Sequence, residues 1–224
     1  MTLEDLLKSL ALNPEQSILD FGFGTGECLK SLKSYGCQSL SGFDVIQLDH
    51  LELDFADISI APDSISWLQN QPEKFDVILA KESLYYIEKS SQSLLWKSLF
   101  NSLKPSGRLI VLAFNGALST SNIIQTKDLG IQLAFSENSL SNLAFNSGFV
   151  GIEVEELDIS HSNTLAKTGW TLILFAGRAF NRFRYIAERG LDPQNPKILS
   201  KTIYFSARKP PHISQFALNS DKLK

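Results

Sequence analysis

The 224-residue chain has the length of one ordinary to large domain, and its content of 43% apolar and 20% charged residues excludes a disordered protein. The net charge of −3 averages two unlike parts, because residues 1–175 carry 11 Lys and Arg against 21 Asp and Glu, whereas residues 176–224 carry 10 against 3. The acidic part argues against a nucleic-acid groove and suits a cationic ligand.

Three further features exclude other classes. The apolar stretches are too short to span a membrane, and the first residues lack the basic start and apolar core of a secretory signal. Cys28 and Cys37 are nine residues apart, with no His or further Cys at metal-ligand spacing. We therefore expect free thiols, no metal site and a cytoplasmic location.

Residues 2–10 predict a short helix, and the chain then reaches its most informative stretch. Residues 18–26 form an apolar run that includes the carboxylate of Asp20, followed by Gly22, Gly24 and Gly26. The pattern predicts a buried strand, a tight turn and a helix over residues 27–34. Strand, glycine turn and helix begin a nucleotide-type α/β fold, in which the ligand lies over the carboxyl end of the strand.

The acid before the glycines indicates which nucleotide is bound. A carboxylate at Asp20 would repel the pyrophosphate of a dinucleotide, whereas it would attract the sulfonium and ammonium groups of S-adenosylmethionine (SAM). The spacing G-x-G-x-G also differs from the G-x-G-x-x-G of dinucleotide folds. A glycine turn without a ligand and an NAD(P)-dependent oxidoreductase stay open as alternatives.

Two more acids follow. The segment 39–44 predicts a second strand that ends at Asp44, 18 residues after Gly26, the distance at which an acid reaches a ribose in such folds. Residues 46–56 have helical spacing, and residues 58–60 predict a short strand. Asp63 comes before a short helix, where it is either a ligand-binding acid or an N-cap, and Asp57 is the alternative candidate for that acid.

The second half alternates in the same way. It predicts a strand at 75–80, a helix at 90–102 with Leu94, Leu95, Leu99 and Leu103 inward, a fifth strand after the Pro-Ser-Gly turn at 105–107, a helix before Phe149, and strands at 150–159 and 201–208. The segment 117–131 predicts a loop. Residues 169–190 predict a helix that stops at Gly190.

Several of these motifs resemble those of the class I SAM-dependent methyltransferases, over residues 15–210. They are D-x-G-x-G-x-G at 20–26, FDVILA at 75–80, LKPSGRL at 103–109, the Phe-to-Gly-Phe helix at 135–149 and ARKP at 207–210. The resemblance implies a Rossmann-like seven-stranded sheet, mostly parallel with an antiparallel last strand, helices on both faces, and a helical insert between strands six and seven. It implies one domain over 1–210, with the insert at 160–197 and a tail at 211–224.

The resemblance also implies a cofactor and a reaction. SAM would donate a methyl group to an oxygen or nitrogen of a small molecule, with sugars and lipid-linked glycans among the candidates. A methyltransferase-like protein that binds SAM without catalysis is the other alternative. The implied cofactor-binding residues are Asp20, Gly22, Phe23, Gly24, Gly26, Asp44, Val45, Asp63, Ser64, Ala80 and Lys81. The candidate bases are Glu82, Tyr86 and His161, and the candidate acceptor-binding residues are Asn115, Arg178 and Arg182.

The insert leaves three interpretations open. Its helix is apolar in the first half and carries four arginines in the second, of which Arg178, Arg182 and Arg189 share a face. It would cover the sheet, form an acceptor-binding lid that grips phosphate or carboxylate, or contact an anionic membrane surface or a second subunit. We expect no nucleic-acid partner, and the sequence does not define the oligomeric state.

Overall fold

A computed structural model describes residues 10–48, 51–118, 128–157, 176–180, 182–184, 186–187, 190, 197–198, 200 and 202–211. The predicted N-terminal helix lies outside these residues apart from Leu10. His161, Arg189 and the tail beyond residue 211 also lie outside them. Among the described helices, none has the length and apolar character that crossing a membrane requires.

The described elements alternate between strands and helices. The strands are β1 (Ser17–Phe21), β2 (Ser39–Asp44), β3 (Asp57–Ile60), β4 (Phe75–Lys81), β5 (Leu103–Phe114), β6 (Val150–Leu157) and β7 (Thr202–Arg208). The helices are α1 (Glu27–Tyr35), α2 (Ser64–Gln69), α3 (Gln92–Ser102) and α4 (Glu137–Ser147), and short 3₁₀ turns occupy Leu84–Tyr86 and Lys89–Ser91. Residues 176–180, 182–184 and 186–187 are also helical and are called the insert helix below.

The strands form one seven-stranded sheet in the order β3-β2-β1-β4-β5-β7-β6. The pairs from β3 to β5 are parallel, and β7 runs antiparallel to both β5 and β6. This confirms the predicted Rossmann-like fold with its antiparallel last strand. The carboxyl ends of β1, β2 and β4 meet at one edge, which is where open α/β sheets bind their ligands.

The core has two layers because the sheet is covered on both faces. Ile18 and Leu19 are both fully buried, yet as neighbours in a strand they point to opposite layers. One layer contains Trp96 of α3 and Leu140 of α4, and the other contains Leu29 of α1. Helices therefore pack on both faces, as predicted.

Helix ends follow local sequence signals. Ser136 caps α4 in a reciprocal capping box with Ser139, and Gly148 ends the helix with a left-handed backbone. Gly190 has a φ of 69° and its N–H donates to the carbonyl of Ile186, so the insert helix stops where the sequence predicts.

Two predictions about local structure are wrong. The helix over 46–56 is absent from the described residues 46–48 and 51–56, which form irregular structure, turns and bends. Their apolar side chains have helical spacing, but Leu53 is buried beside Gly26 instead of along a helix face. Leu94 is half-exposed, and the α3 side chain buried in its place is Trp96.

Candidate functional site

A cavity of about 620 Å³ opens at the carboxyl ends of β1, β2 and β4. This volume is within the range of roughly 300–1,000 Å³ that small-molecule sites occupy. Of the predicted cofactor residues, eight line it. They are Asp20, Gly22, Phe23, Gly24, Asp44, Val45, Ser64 and Lys81. The loop after β1 and the ends of the neighbouring strands are thus brought together as the sequence predicts.

The three glycines of the turn have different tasks. Gly22 has a φ of 78°, and a Cβ there would lie 2.3 Å from the Cβ of Ser83. Gly26 has a φ of 73°, and a Cβ there would lie 2.8 Å from the side chain of Leu53. At Gly24, with a φ of 52°, no described heavy atom lies within 4 Å of the added Cβ. Gly24 is therefore the position where backbone is open to a ligand, whereas Gly22 and Gly26 allow close packing.

Asp20 is the buried acid of the site. Only 1% of its surface is exposed, and its Oδ2 has no hydrogen-bond partner among the described residues. Burial raises the pKa of Asp20 from 3.8 to about 7; the positive charge of Lys81 opposes this rise and the negative charge of Asp44 adds to it. A buried acceptor without a partner is costly, so this atom is suited to a donor supplied by a ligand.

Asp44 fixes the loops on either side of β2. Its Oδ2 accepts a hydrogen bond of 2.8 Å from the N–H of Gly24, and its Oδ1 accepts bonds of 2.7 and 3.1 Å from the N–H groups of Val45 and Ile46. The carboxylate therefore links the glycine turn to the end of β2. A carboxylate has about four acceptor positions, so one remains for a ligand hydroxyl.

With SAM as the cofactor that the sequence resemblance implies, replacement of Asp44 with Ala should weaken its binding at least tenfold, which corresponds to about 1.4 kcal/mol for one lost polar contact. The test compares S-adenosylhomocysteine with an analogue that lacks the ribose hydroxyls, by calorimetric titration of wild type and variant. The wild type should prefer the complete ligand and Asp44→Ala should bind both equally. Unchanged preference in a folded variant would reject the ribose assignment.

Three predicted cofactor residues lie outside the cavity lining of the described residues. The carboxylate of Asp63 accepts hydrogen bonds of 3.0 and 3.1 Å from the N–H groups of Ile65 and Ser66, and 2.6 Å from the hydroxyl of Ser66. It is thus the N-cap of α2, the alternative that the sequence left open. Gly26 is the N-cap of α1, and Ala80 is buried within β4.

Lys81 is the cation of the cavity wall. Its ammonium lies 3.8 Å from a carboxylate oxygen of Glu27, on the first turn of α1. Both side chains are partly exposed, so the pair contributes little to stability. Its positive charge nevertheless acts on Asp20, and this places opposite charges on the two central strands.

The wall opposite Asp44 is formed by residues after β4 and by one residue from a distant loop. Glu82, Tyr86, Ile87 and Gly130 line it. Glu82 has a φ of 54°, which is uncommon for a residue with a side chain and is a form of backbone strain found at functional sites. The Tyr86 hydroxyl donates a 2.7 Å hydrogen bond to Asp128, and burial followed by this hydrogen bond raises the pKa of Tyr86 to about 12.

The predicted acceptor residues are not brought to this cavity. The Asn115 amide is buried and donates 2.9 Å hydrogen bonds to the carbonyls of Ile198 and Ser200, which holds the segment before β7. Arg178 lies 3.1 Å from a carboxylate oxygen of Glu156, and Arg182 donates a 3.2 Å bond to the carbonyl of Lys197. Their positions argue for structural roles, and His161 lies outside the described residues.

Sequence reasoning missed several lining residues, among them Cys28, Ser83 and Gly130. Burial, followed by the charge of Asp20, raises the pKa of the Cys28 thiol well above its usual value, so the thiol stays protonated. A signal for Cys28 existed, since it lies in the first turn of the helix that follows the glycine turn, the helix end at which such folds bind their ligands. Gly130 had none, because it is 86 residues from Asp44 and only tertiary structure brings it near.

The fold and this site define a class of protein, an open α/β domain with a small-molecule cavity at the switch point of its sheet. A family model described as a methyltransferase domain matches residues 2–184. The chain therefore belongs to the methyltransferase domain family, and it is a class I SAM-dependent methyltransferase. A search of curated proteins finds no match.

Solved structures of low sequence identity share the fold. A SAM-dependent methyltransferase from Archaeoglobus fulgidus is 18% identical with a TM-score of 0.63, over 92% of this chain and 94% of that one. Haemonchus contortus phosphoethanolamine N-methyltransferase 2, in complex with SAM, is 19% identical with a TM-score of 0.62. The match covers 93% of this chain but only 52% of that one.

A third structure extends the comparison to another acceptor. The Burkholderia thailandensis 1,6-didemethyltoxoflavin-N1-methyltransferase, with its acceptor and S-adenosylhomocysteine bound, is 13% identical with a TM-score of 0.59, over 93% of this chain and 76% of that one. Its acceptor is unlike that of the Haemonchus enzyme, so the shared fold accompanies different substrates.

Proposed function

We propose that this chain transfers the methyl group of SAM to an oxygen or nitrogen atom of a small polar molecule, with sugars and lipid-linked glycans among the candidate acceptors. One observation carries the proposal. The cavity combines a buried carboxyl group with an open acceptor atom at Asp20 and a second, strained acid at Glu82. Because β2 and β4 lie on opposite sides of β1, the cavity has two separate walls, and we assign the β2 wall to the cofactor and the β4 wall to the acceptor.

The residues on the β1 and β2 side fit SAM. Asp20 would accept a hydrogen bond from the ammonium group, Asp44 would accept from the ribose, and the open backbone at Gly24 permits close approach. When bound, SAM supplies an electrophilic methyl group on a sulfonium sulfur. The chain contributes position and the exclusion of water, and holding two reactants in a near-attack arrangement is worth about 7–11 kcal/mol.

The acceptor would lie against Glu82, Tyr86 and Gly130. A hydroxyl group must lose its proton as the methyl group arrives, whereas a protonated amine must lose one beforehand to free its lone pair. The carboxylate of Glu82 lines the cavity there and would accept that proton. Tyr86 is a poor base because its pKa is about 12. The names of two of the compared structures describe nitrogen acceptors, which supports an amine. The segment 160–197 of this sequence resembles the inserts that sugar-modifying methyltransferases have between strands six and seven, and this resemblance supports a glycan acceptor.

Calorimetric titration with SAM, S-adenosylhomocysteine and NAD tests the cofactor, and we expect the first two to bind and NAD not to bind. Metabolite extracts incubated with the protein and methyl-deuterated SAM then test the reaction by mass spectrometry. A labelled methyl group should appear in a polar metabolite and be lost in the Asp20→Asn variant. Binding of NAD but not of SAM would contradict the assignment of SAM as the cofactor. Binding of SAM without any labelled product would favour the alternative of a non-catalytic SAM-binding protein.

A further inference from the structure

The insert helix presents an apolar face to solvent. Phe180, Phe183 and Ile186 are 67%, 70% and 39% exposed, and their steps of three residues place them on one side of the helix. Exposed alanines complete the face, at Ala176, Ala179 and Ala187. At 3.6 residues per turn, these six positions span roughly 120° of the helix circumference. Single exposed apolar residues are normal, but a contiguous stripe of this kind indicates an interaction surface.

Two arginines of the insert helix contact the rest of the protein. The Arg178 guanidinium lies 3.1 Å from Glu156 near the end of β6, and Arg182 donates to the carbonyl of Lys197. The N–H of Lys197 in turn donates to the carboxylate of Glu137, at the start of α4. Arg178 thus holds one side of the helix against β6, and the exposed Arg182 lies at the border between that side and the apolar face, which points outward.

Cationic residues flank this face on both sides. Arg182 is one edge of the stripe and the half-buried Arg184 is the other. The chain from residue 176 onward is also strongly basic, with 10 Lys and Arg against 3 Asp and Glu. An apolar stripe of phenylalanines between arginines is the pattern of a helix that lies in a membrane interface, where the rings enter the acyl boundary and the guanidinium groups meet lipid phosphates.

The acids of the neighbouring strand do not oppose this arrangement. Val154 and Glu156 share one face of β6, whereas Glu153, Glu155 and Leu157 alternate to the other. Val154 packs with the layer that contains α4, and Leu157 packs with the layer that contains α1. Glu153 and Glu155 therefore face away from the side that carries the insert helix, and Glu156 is paired with Arg178.

We propose that the insert helix is a docking surface for an anionic lipid membrane. The apolar face supplies insertion and the flanking arginines supply the preference for negative headgroups. Glu156 is close to the carboxyl end of β6, and β6 runs parallel to β5, so the insert helix lies at the sheet edge that also contains the cavity. A docked membrane would thus lie beside the end of the sheet at which the substrate enters.

Vesicle co-sedimentation of the full chain tests the proposal, with phosphatidylcholine vesicles and with vesicles of phosphatidylcholine and phosphatidylglycerol. We expect binding to the anionic vesicles that weakens with added salt, and little binding to the neutral ones. Phe183→Ser should lower the partition coefficient about tenfold or more. Phe145→Ser is the matched control, because Phe145 is a 73% exposed phenylalanine on α4 without an arginine-flanked stripe.

A second pair of variants tests the charge. Arg182→Gln should reduce the preference for anionic vesicles, and Lys89→Gln, at an exposed position on a 3₁₀ turn, should leave it unchanged. Unchanged SAM affinity in each variant shows that the fold is intact. Equal binding of Phe183→Ser and wild type, or no binding to either vesicle, would overturn the proposal. Wild-type self-association that Phe183→Ser abolishes would assign the face to a second copy of the chain instead.

Discussion

The Asp20→Asn variant is expected to bind SAM about ten- to a hundredfold more weakly than the wild type at pH 8, because a charge-assisted hydrogen bond is worth about 1.5–3 kcal/mol. Asp20 is 1% exposed, and its Oδ2 has no partner among the described residues, so a ligand ammonium would meet a carboxylate oxygen that no described protein group already occupies. Asparagine keeps the size of the side chain and removes the charge.

The raised pKa of Asp20 predicts a pH dependence of opposite sign for binding and for stability. With a pKa of about 7 in the folded chain against 3.8 when unfolded, the folded state holds the proton more tightly. The stability that this group contributes is therefore complete below pH 4 and falls as the pH rises through 7. The affinity for SAM should rise over the same interval, because only the ionised carboxylate attracts the ammonium.

Urea denaturation of the ligand-free protein measures the first effect. The stability of Asp20→Asn relative to wild type should increase by on the order of 2–3 kcal/mol between pH 5 and pH 8, at about 1.4 kcal/mol per pKa unit. Asp57→Asn is the control for the loss of a carboxylate at an exposed position, since Asp57 lies 3.8 Å from Lys74 at the protein surface. A constant difference for Asp20→Asn would mean that Asp20 is ionised throughout.

The parts of this fold that follow from sequence are the local ones. The strand, glycine turn and helix over residues 17–35 are contiguous, so their spacing alone indicates where a ligand approaches. Asp44 was predictable in the same way, because the βαβ unit fixes the length between the glycine turn and the end of the second strand. The antiparallel direction of β7 was implied only by the resemblance to the class I methyltransferases, which the ARKP motif at 207–210 helps to carry.

The parts that did not follow depend on tertiary packing. Helical spacing relates Leu48, Leu51 and Phe55. The residue that is buried in the layer containing α1 is nevertheless Leu53, and the segment is irregular. Position 22 requires glycine because a Cβ there would clash with the side chain of Ser83, which is 61 positions away in the sequence. Asp63 illustrates a different limit, since an acid before a helix has the same sequence pattern whether it binds a ligand or caps the helix.

Replacement of Glu82 with Gln should lower kcat by about a hundredfold or more with little change in the KM for SAM, since general-base catalysis contributes about 10²- to 10⁴-fold. Glu82 lines the side of the cavity that we propose for the acceptor, and its backbone has a φ of 54° with its N–H bonded to the carbonyl of Leu112. Glutamine fits the same space but does not accept a proton. The variant therefore separates proton removal from acceptor positioning.

Tyr86→Phe is the matched control for that experiment, because it removes the other polar group of the same wall. The Tyr86 hydroxyl is bound to Asp128 and its pKa is about 12, so it does not take a proton near pH 7 and its loss should cost less than about tenfold in kcat. Deuterated SAM and single-turnover mass spectrometry would measure both variants. Full activity of Glu82→Gln together with an inactive Tyr86→Phe would transfer the role of the base to the tyrosine and its Asp128 partner.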